Sequence, residues 1–257
     1  MTNLKWLHLA IDLFGGRTLD DASTLSGVLD AFEDSGLVPA TWAVGEPPGR
    51  DYARDEVEQM VLGRSATAVS LHRKRAPQYR ATLFCRNRPR ILVVFAPPPT
   101  AKHHTAIVAL ADALVASQRP HVGWLNPLLD AKPPFEDEIA RARYQMDEGC
   151  DGSVAQYDEY GPGGLGAYTW LGAPMVALIG SDRLAAAPVE VRELAGGGVR
   201  IDLVDDPLAA DDATLAAAWT KAMARLADAE VFARQSIDEQ GYVRFVRGAR
   251  FNLWATQ

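Results

Sequence analysis

The amino-acid sequence predicts an α+β fold, with mixed, mainly antiparallel strands and amphipathic helices packed on one face of the sheet. Three strand-like runs follow one another without intervening helices between residues 66 and 95. A hairpin pattern centred on three glycines covers residues 189–204. Helical patterns fall between these groups of strands instead of alternating with single strands. Both halves place antiparallel strands before a long helix, so a pseudo-repeat of two halves is a further possibility.

The first half of the chain begins with a strand and ends with a helix. Residues 5–13 alternate polar and apolar side chains, which predicts a half-buried strand. Apolar residues at helical spacing from Leu25 to Phe32 predict a helix, with Asp20, Asp21 or Ser23 as its cap. The elements predicted after it are a short helix over 51–62, strands over 66–71, 79–85 and 90–95, and a helix over 105–117.

The second half mixes strands and helices less regularly. We expect one domain over residues 1–257; if it has two lobes, their boundary lies near 97–134. The predicted elements are a short apolar piece at 121–125, a loop at 126–134, a helix over 135–146, a strand over 168–179, a helical turn at 182–186, a hairpin of 189–194 and 199–204, a helix over 213–229, and late strands at 242–246 and 251–254.

Composition is that of an ordinary globular protein, with 48% hydrophobic and 23% charged residues. The longest apolar runs fall well short of the roughly 18 residues of a membrane helix. The first residues lack the pattern of a signal peptide. Cys85 and Cys150 are far apart and lack the spacing of metal ligands. We therefore expect a cytoplasmic protein without a membrane partner.

Charge is distributed unevenly along the chain. The formal net charge is −7, yet residues 59–111 hold nine basic and no acidic side chains. These basic strands either pair with acidic neighbours in the fold or bind an anion. Nucleic acid is not favoured as a partner, because the pI of about 5.3 opposes binding of a polyanion.

A glycine-rich stretch, YGPGGLGAYTWLG, occupies residues 160–172. Its spacing superficially resembles a nucleotide-binding loop, but acidic residues precede it and a β-prone run that includes Trp170 follows it. A phosphate loop would instead lie between a buried strand and the start of a helix. We predict that it is a structural turn that leads into a central strand. Its glycines are Gly161, Gly163, Gly164 and Gly166.

Motifs of catalysis are not found. The sequence has no zinc-protease motif and no Gly-x-Ser-x-Gly elbow. Cys85 is expected to be a buried strand cysteine, and the adjacent His103 and His104 to lie at the start of a helix. The sequence thus predicts no catalytic residue, no metal and no cofactor. One alternative is a small-molecule enzyme whose cleft is formed by the glycine loop 161–166 and the two histidines.

Several segments resemble the immunity protein 52 family of bacterial polymorphic toxin systems. They are the stretch from Gln156 to Gly172, the hairpin after it, RIDLVDDPLAADDATL at 200–215 and VFARQ at 231–235. The resemblance covers most of the chain. It implies an immunity protein, associated with type VI secretion, that binds and neutralises a cognate toxin without catalysis. It also implies a nuclease as that toxin, so an acidic inhibitor would meet a basic DNA-binding face.

This resemblance leads to a predicted toxin-binding surface. Acidic side chains would meet the basic toxin, and Trp124, Tyr157 and Tyr160 would be aromatic anchors. The alternative for these three aromatic residues is packing in the core. A role as an adaptor or structural component of a secretion apparatus is the other alternative function. The full set of predicted contacts is Trp124, Asp147, Glu148, Asp151, Tyr157, Asp158, Glu159, Tyr160, Asp205 and Asp206.

Overall fold

The computed structural model describes residues 6–45, 49–86, 88–129, 134–150, 154–240 and 242–252, except for the side chains of Trp6 and Val154. Its contacts divide the chain into two compact units. The N-terminal unit comprises His8–Gly123. The C-terminal unit comprises the described residues from Trp124 onward, with Trp6 and Leu7. The division between Gly123 and Trp124 lies within the range 97–134. The predicted α+β class is confirmed.

The N-terminal unit contains an antiparallel sheet with the strand order β3-β2-β4-β5-β6-β1. The strands are β1 (Trp6–Phe14), β2 (Thr41–Ala43), β3 (Arg50–Asp51), β4 (Ala68–Arg73), β5 (Tyr79–Phe84) and β6 (Arg90–Phe95). The helices are α1 (Ala22–Asp34), α2 (Arg54–Leu62) and α3 (His104–Gln118). The predicted meander of three strands is therefore present as β4, β5 and β6.

The helices of this unit cover one face of the sheet. The covered face is built from rows of paired residues such as Leu71, Ala81, Val93 and Ile11, all of them fully buried. Phe32 of α1 packs on this face, with its ring 5.5 Å from that of Tyr79. Strict alternation along each strand leaves the second set of side chains on the opposite face. The sequence prediction of helices on one face is thus met in this unit.

The first helix begins where its sequence predicts. The Asp21 side chain accepts a hydrogen bond from the Thr24 backbone N–H over 2.9 Å. This bond satisfies a donor that the first turn of a helix leaves without a partner. The hydrogen bond from the Ser23 hydroxyl, followed by this bond from Thr24, lowers the pKa of Asp21 to about 2.

The C-terminal unit contains a second group of strands in the order β7-β8-β10-β9, together with the separate hairpin β11-β12. The strands are β7 (Val122–Leu129, in this unit from Trp124), β8 (Tyr168–Leu171), β9 (Glu190–Glu193), β10 (Val199–Asp202), β11 (Arg234–Ile237) and β12 (Val243–Val246). The helices are α4 (Glu138–Cys150), α5 (Val154–Tyr160), α6 (Ala173–Ile179), α7 (Ser181–Ala185) and α8 (Asp212–Leu226).

The predicted strand over 168–179 is wrong in its second half. The strand ends at Leu171, and residues Ala173–Ile179 form the helix α6. Pro174 stands in the first turn of this helix, where the missing N–H of proline costs nothing. The sequence shows one apolar run because Met175 and Ile179 of α6 are buried, as are the residues of the strand before it.

Four further elements differ from the sequence prediction. The expected loop at 126–134 contributes its first four residues to β7, which is buried along its whole length. Phe251 is buried but lies outside any strand, and residues 253 and 254 lie outside the described part. Helix α5 and strand β11 are not predicted at all. Both are short, and their apolar patterns are too brief to stand out.

Candidate functional site

The glycine stretch is buried from Gly161 to Leu171. It connects α5 to β8, so it lies between a helix and a strand rather than before a helix. The backbone of Gly163 touches the backbone of Gly149 in α4: an ideal Cβ at Gly163 would lie 2.5 Å from the Gly149 Cα. The Gly163 carbonyl also accepts a hydrogen bond from the Gln235 side chain over 2.5 Å. These contacts identify the stretch as a packing element, and β8 lies between β7 and β10 as a central strand.

The turn at Gly161 needs glycine for two reasons. Its φ of +86° lies in the left-handed region, and a Cβ there would meet the Phe251 ring at 2.8 Å. The same ring makes an edge-on contact with Tyr157, with 5.6 Å between the ring centroids. Tyr157 is 4% exposed, so this predicted anchor is a core residue of the C-terminal unit.

Trp124 is a second predicted anchor that the structure places in the core. It is 3% exposed, and its indole N–H donates to the Gly164 carbonyl over 2.9 Å. Gly166 lies against the Trp124 side chain, where a Cβ would come within 3.1 Å. Trp124 therefore positions the glycine loop instead of facing a partner. Trp170 is also fully buried and makes an edge-on contact with Tyr168.

Asp147 lies in a buried polar network in the C-terminal unit. One oxygen of its carboxylate accepts from the Asn126 side chain over 3.0 Å, and the other accepts from the Leu129 backbone N–H over 3.0 Å. Arg143, which is fully buried, lies 3.7 Å from the same carboxylate and 3.4 Å from that of Asp212. Burial raises the pKa of Asp147 to about 7, although Arg143 and the hydrogen bonds oppose this rise. Asp147 thus links α4 to β7 and is not at the surface.

The remaining predicted contacts are closer to solvent. Glu159 and Asp205 are exposed. Asp206 accepts a hydrogen bond from the Leu208 backbone N–H over 2.8 Å in the turn before α8, and the Tyr168 hydroxyl donates to the Asp205 carbonyl. The partly exposed contacts are Glu148, Asp158, Tyr160 and Asp206. Asp151 lies outside the described residues.

The structure reveals an acidic cleft that the sequence interpretation missed. It lies between the residues that lead into α4 and the turn of the hairpin β11-β12, and its volume is about 570 Å³. Five carboxylates and one arginine line it: Glu136, Asp137, Glu138, Asp238, Glu239 and Arg141. Asp238 organises the turn, because its carboxylate accepts from the backbone N–H groups of Gln240 and Tyr242 and from Arg244. These bonds lower the pKa of Asp238.

Exposed apolar side chains lie on the elements that form the acidic cleft. Tyr242 is 63% exposed, Val246 is 56% exposed and Ile139 is 38% exposed. Phe135 packs on Tyr144, with 5.1 Å between the ring centroids. Burial is the main cause of the raised pKa of Tyr144, and the nearby Glu148 and Asp238 add to it. Tyr242, Val246 and Ile139 thus lie on the elements around the acidic cleft, while the apolar side chains of its lining are Phe135, Ile237 and Pro134.

One sequence signal could have revealed this cleft. Glu136, Asp137 and Glu138 are consecutive, and a second acidic pair, Asp238 and Glu239, stands beside the turn-forming Gln240. Nothing in the sequence shows that these two segments, about 100 residues apart, share one cleft. Their proximity follows from the packing of the C-terminal unit.

One feature of the structure supports the alternative of a small-molecule cleft at the glycine loop. A cavity of about 570 Å³ is lined by Gly163 and by residues of α8 and the segment before β11, including Trp219, Met223 and Phe232. The histidine pair belongs to the other unit, where the ring of His103 accepts from the Thr100 backbone N–H. In the described ranges, no group of three or more His, Cys, Asp or Glu side chains could hold a metal ion.

Of the helices in the described part of the chain, none combines the length and the apolar character needed to cross a membrane.

Cys85 is fully buried at the end of β5, as its sequence position predicts, and burial raises its pKa to about 11.

Comparison with known proteins gives a likeness of fold. No protein-family model matches the chain, and no curated protein matches it significantly. A solved structure, a Pseudomonas aeruginosa T6SS protein, is similar with a TM-score of 0.55 and 15% sequence identity. The likeness covers 84% of this chain and 73% of that one.

Proposed function

We propose that the chain is an immunity protein that binds and neutralises a secreted antibacterial toxin through protein–protein contact. The observation that carries this proposal is the acidic cleft with Tyr242 exposed beside it. Interfaces are enriched in aromatic residues at their centre, while charges at the rim steer the partner. Such a surface suits a basic partner protein. A nuclease toxin would offer its basic DNA-binding face.

The fold comparison supports the same proposal. The similar Pseudomonas aeruginosa protein is described as a T6SS protein, which is compatible with a secretion-related role for this chain. The resemblance to the immunity protein 52 family makes the role specific: inhibition of a cognate toxin, by binding and without catalysis. The acidic cleft replaces Trp124, Tyr157 and Asp147 as the contact surface, since those three side chains are buried. The exposed residues Glu159 and Asp205 remain candidate contacts.

Co-expression with a toxin encoded beside this gene tests the proposal. We expect survival of the cells and co-purification of a complex. Glu136→Lys with Glu239→Lys should slow association, because charges at the edge of an interface act mainly on the association rate. The control, Asp34→Lys with Glu193→Lys, makes the same change of charge at exposed sites on other elements.

Tyr242→Ala tests the aromatic anchor in the same assay. Truncation of an anchor residue costs at least about 2 kcal/mol of binding free energy, which weakens affinity by roughly thirtyfold or more. Leu62→Ala is the control, because Leu62 is an exposed apolar residue of the N-terminal unit. If the toxin still kills and no complex forms with the native chain, the immunity proposal is wrong. If a complex forms but Tyr242→Ala and the double variant Glu136→Lys with Glu239→Lys both leave it unchanged, its interface is not the acidic cleft.

A small-molecule role is the second candidate, and the cavity at Gly163 is the observation that favours it. Its volume of about 570 Å³ falls in the range of ligand pockets. Met223→Trp would fill part of this cavity. Native mass spectrometry of the purified chain should show a bound small molecule that Met223→Trp loses; its absence from the native chain would count against this role.

A further inference from the structure

The N-terminal unit leaves one face of its sheet open. Helices cover the face that carries Leu71 and Ala81, whereas Arg80 on the opposite face is exposed, and Leu92 and Val94 are partly exposed. The strand register places His72 opposite Arg80, and Arg80 opposite Val94. Thr82 and Leu92 form the next row. A groove of about 910 Å³ lies over these rows, and we name it the basic groove.

The basic groove holds positive charge that no described residue of its lining balances. Its described lining includes His72, Arg73, Lys74 and Arg80, and no carboxylate. Arg73 donates to the Val38 carbonyl over 2.9 Å. In the described ranges, neither Lys74 nor Arg80 forms an ion pair with an acidic side chain within 4.0 Å.

Other basic residues of the same segment do have acidic partners. Arg90 forms a two-bond pair with the buried Asp12, over 2.8 and 2.5 Å, and Arg64 lies 3.7 Å from Asp20. The sequence left two interpretations of the basic segment, internal pairing or anion binding. Pairing accounts for Arg90 and Arg64. It does not account for the basic groove.

The pKa of His72 is also affected by the positive charge of the groove. Burial is the first cause of its lowered pKa, and the positive charges of Arg80 and Lys74 lower it further. An anion in the groove would offset the repulsion between these cations and favour the protonated imidazole. Such an anion would therefore supply negative charge that no described side chain of the unit places in the lining of the groove.

We propose that the basic groove binds an acidic polypeptide segment of a partner protein, one that carries apolar side chains between its carboxylates. Leu92 and Val94 form an apolar floor, which suits apolar side chains, while Lys74 and Arg80 meet carboxylates. Strands of six residues span about 20 Å, and three adjacent strands span about 10 Å across, which is the width of one extended chain or one helix.

Two other occupants fit the groove less well. Nucleic acid would meet a protein of net charge −7, and the short row of cations here offers few phosphate contacts. A second copy of the chain would place an asymmetric contact between unlike surfaces, which continues into a filament unless it closes into a ring. The groove belongs to the N-terminal unit, so this inference does not rest on the immunity role of the acidic cleft.

Fluorescence anisotropy with the full chain tests the proposal. The probe is a labelled peptide of alternating glutamate and leucine, about six to eight residues long so that it spans one strand at about 3.3 Å per residue. We expect binding that weakens with salt and that is lost when lysine replaces glutamate in the peptide. Lys74→Gln and Arg80→Gln should each weaken binding about two- to fivefold.

A matched control separates the groove from net charge. The double variant Lys221→Gln with Arg225→Gln removes one lysine and one arginine charge from the exposed surface of α8 and should leave affinity unchanged. As a second measurement, the NMR titration of the His72 imidazole should move to higher pH when the peptide binds. Thermal melts confirm that every variant is folded.

Three results would overturn the proposal. The first is the absence of peptide binding, or binding that Lys74→Gln and Arg80→Gln leave intact. The second is tighter binding of a single-stranded oligonucleotide of equal charge at the same salt concentration, which would make nucleic acid the occupant. The third is self-association in sedimentation that Arg80→Gln abolishes, which would make a second copy the occupant.

Discussion

Replacing Gly163 by alanine tests the close contact between α4 and the glycine loop. An ideal Cβ at Gly163 would lie 2.5 Å from the Cα of Gly149 and 2.9 Å from its carbonyl oxygen. Carbon atoms in good contact are about 3.5–4.0 Å apart, so the new methyl group would overlap by roughly 1 Å. The overlapping atoms belong to the backbone of a helix, which cannot move aside as a flexible side chain can.

The expected cost is at the upper end for overpacking, about 3 kcal/mol. For a chain of this size that corresponds to a fall in Tm of roughly 6–12 °C. Gly164→Ala is the matched control, because a Cβ there would meet its nearest neighbour, the Trp219 Nε1, at an ordinary distance of 3.4 Å. Neither glycine has a φ in the left-handed region, so backbone strain does not enter the comparison.

Urea unfolding followed by tryptophan fluorescence gives the free energies. We expect Gly164→Ala to change the free energy of unfolding by less than about 1 kcal/mol, since the stiffer unfolded chain offsets a small repacking. Gly149→Ala should cost less than Gly163→Ala, because its Cβ would lie 2.8 Å from the end of the flexible Gln235 side chain and 3.0 Å from the Gly163 carbonyl carbon, and because alanine favours the helix. Equal stabilities of the Gly163→Ala and Gly164→Ala variants would refute the reasoning, and the contact would then be one that the loop can relax.

Three further predictions concern buried groups. The pKa of Asp147 is raised to about 7, so its contribution to stability is complete below about pH 4 and is lost as the pH rises to about 7. We expect Asp147→Asn to remove a decline of at most about 4 kcal/mol across that window in urea titrations, while exposed Asp182→Asn keeps it; equal pH slopes would show that Asp147 does not titrate there. Trp124→Phe leaves the Gly164 carbonyl without its donor and should cost about 1–3 kcal/mol by urea unfolding, and an unchanged midpoint would contradict this role. With a pKa of about 11, buried Cys85 should react with a maleimide at pH 8 only as the chain unfolds in urea, so rapid labelling of the native protein would refute its burial.

Local patterns were sufficient where one element's own residues fix it. Alternation along residues 5–13 predicts β1, and Asp21 caps α1 through a hydrogen bond three residues away. The hairpin of β9 and β10 follows from its glycines, two of which have positive φ. In each case the cause lies within a few residues of the effect.

The candidate site could not be predicted in the same way. Trp124, and Tyr157 in its acidic, aromatic segment, look like surface anchors, yet both are buried against partners 40 and 94 residues away. The side chain of an aromatic residue suits a core and an interface equally, so its type does not decide between them. The positions of Phe251 and of the Gly164 carbonyl, which the tertiary structure sets, decide that Tyr157 and Trp124 belong to the core.

By itself, the sequence determined the class of the fold, most of its helices and strands, and the structural character of the stretch YGPGGLGAYTWLG. These follow from periodicity, capping and the residues that flank the glycines. Tertiary structure alone decided which charges meet. It brings Glu136–Glu138 to Asp238 and Glu239 in one cleft, pairs Arg90 with Asp12, and leaves Lys74 and Arg80 without an acidic partner among the described residues. Charge acts through space, and distances between residues far apart in the chain are set by packing rather than by sequence order.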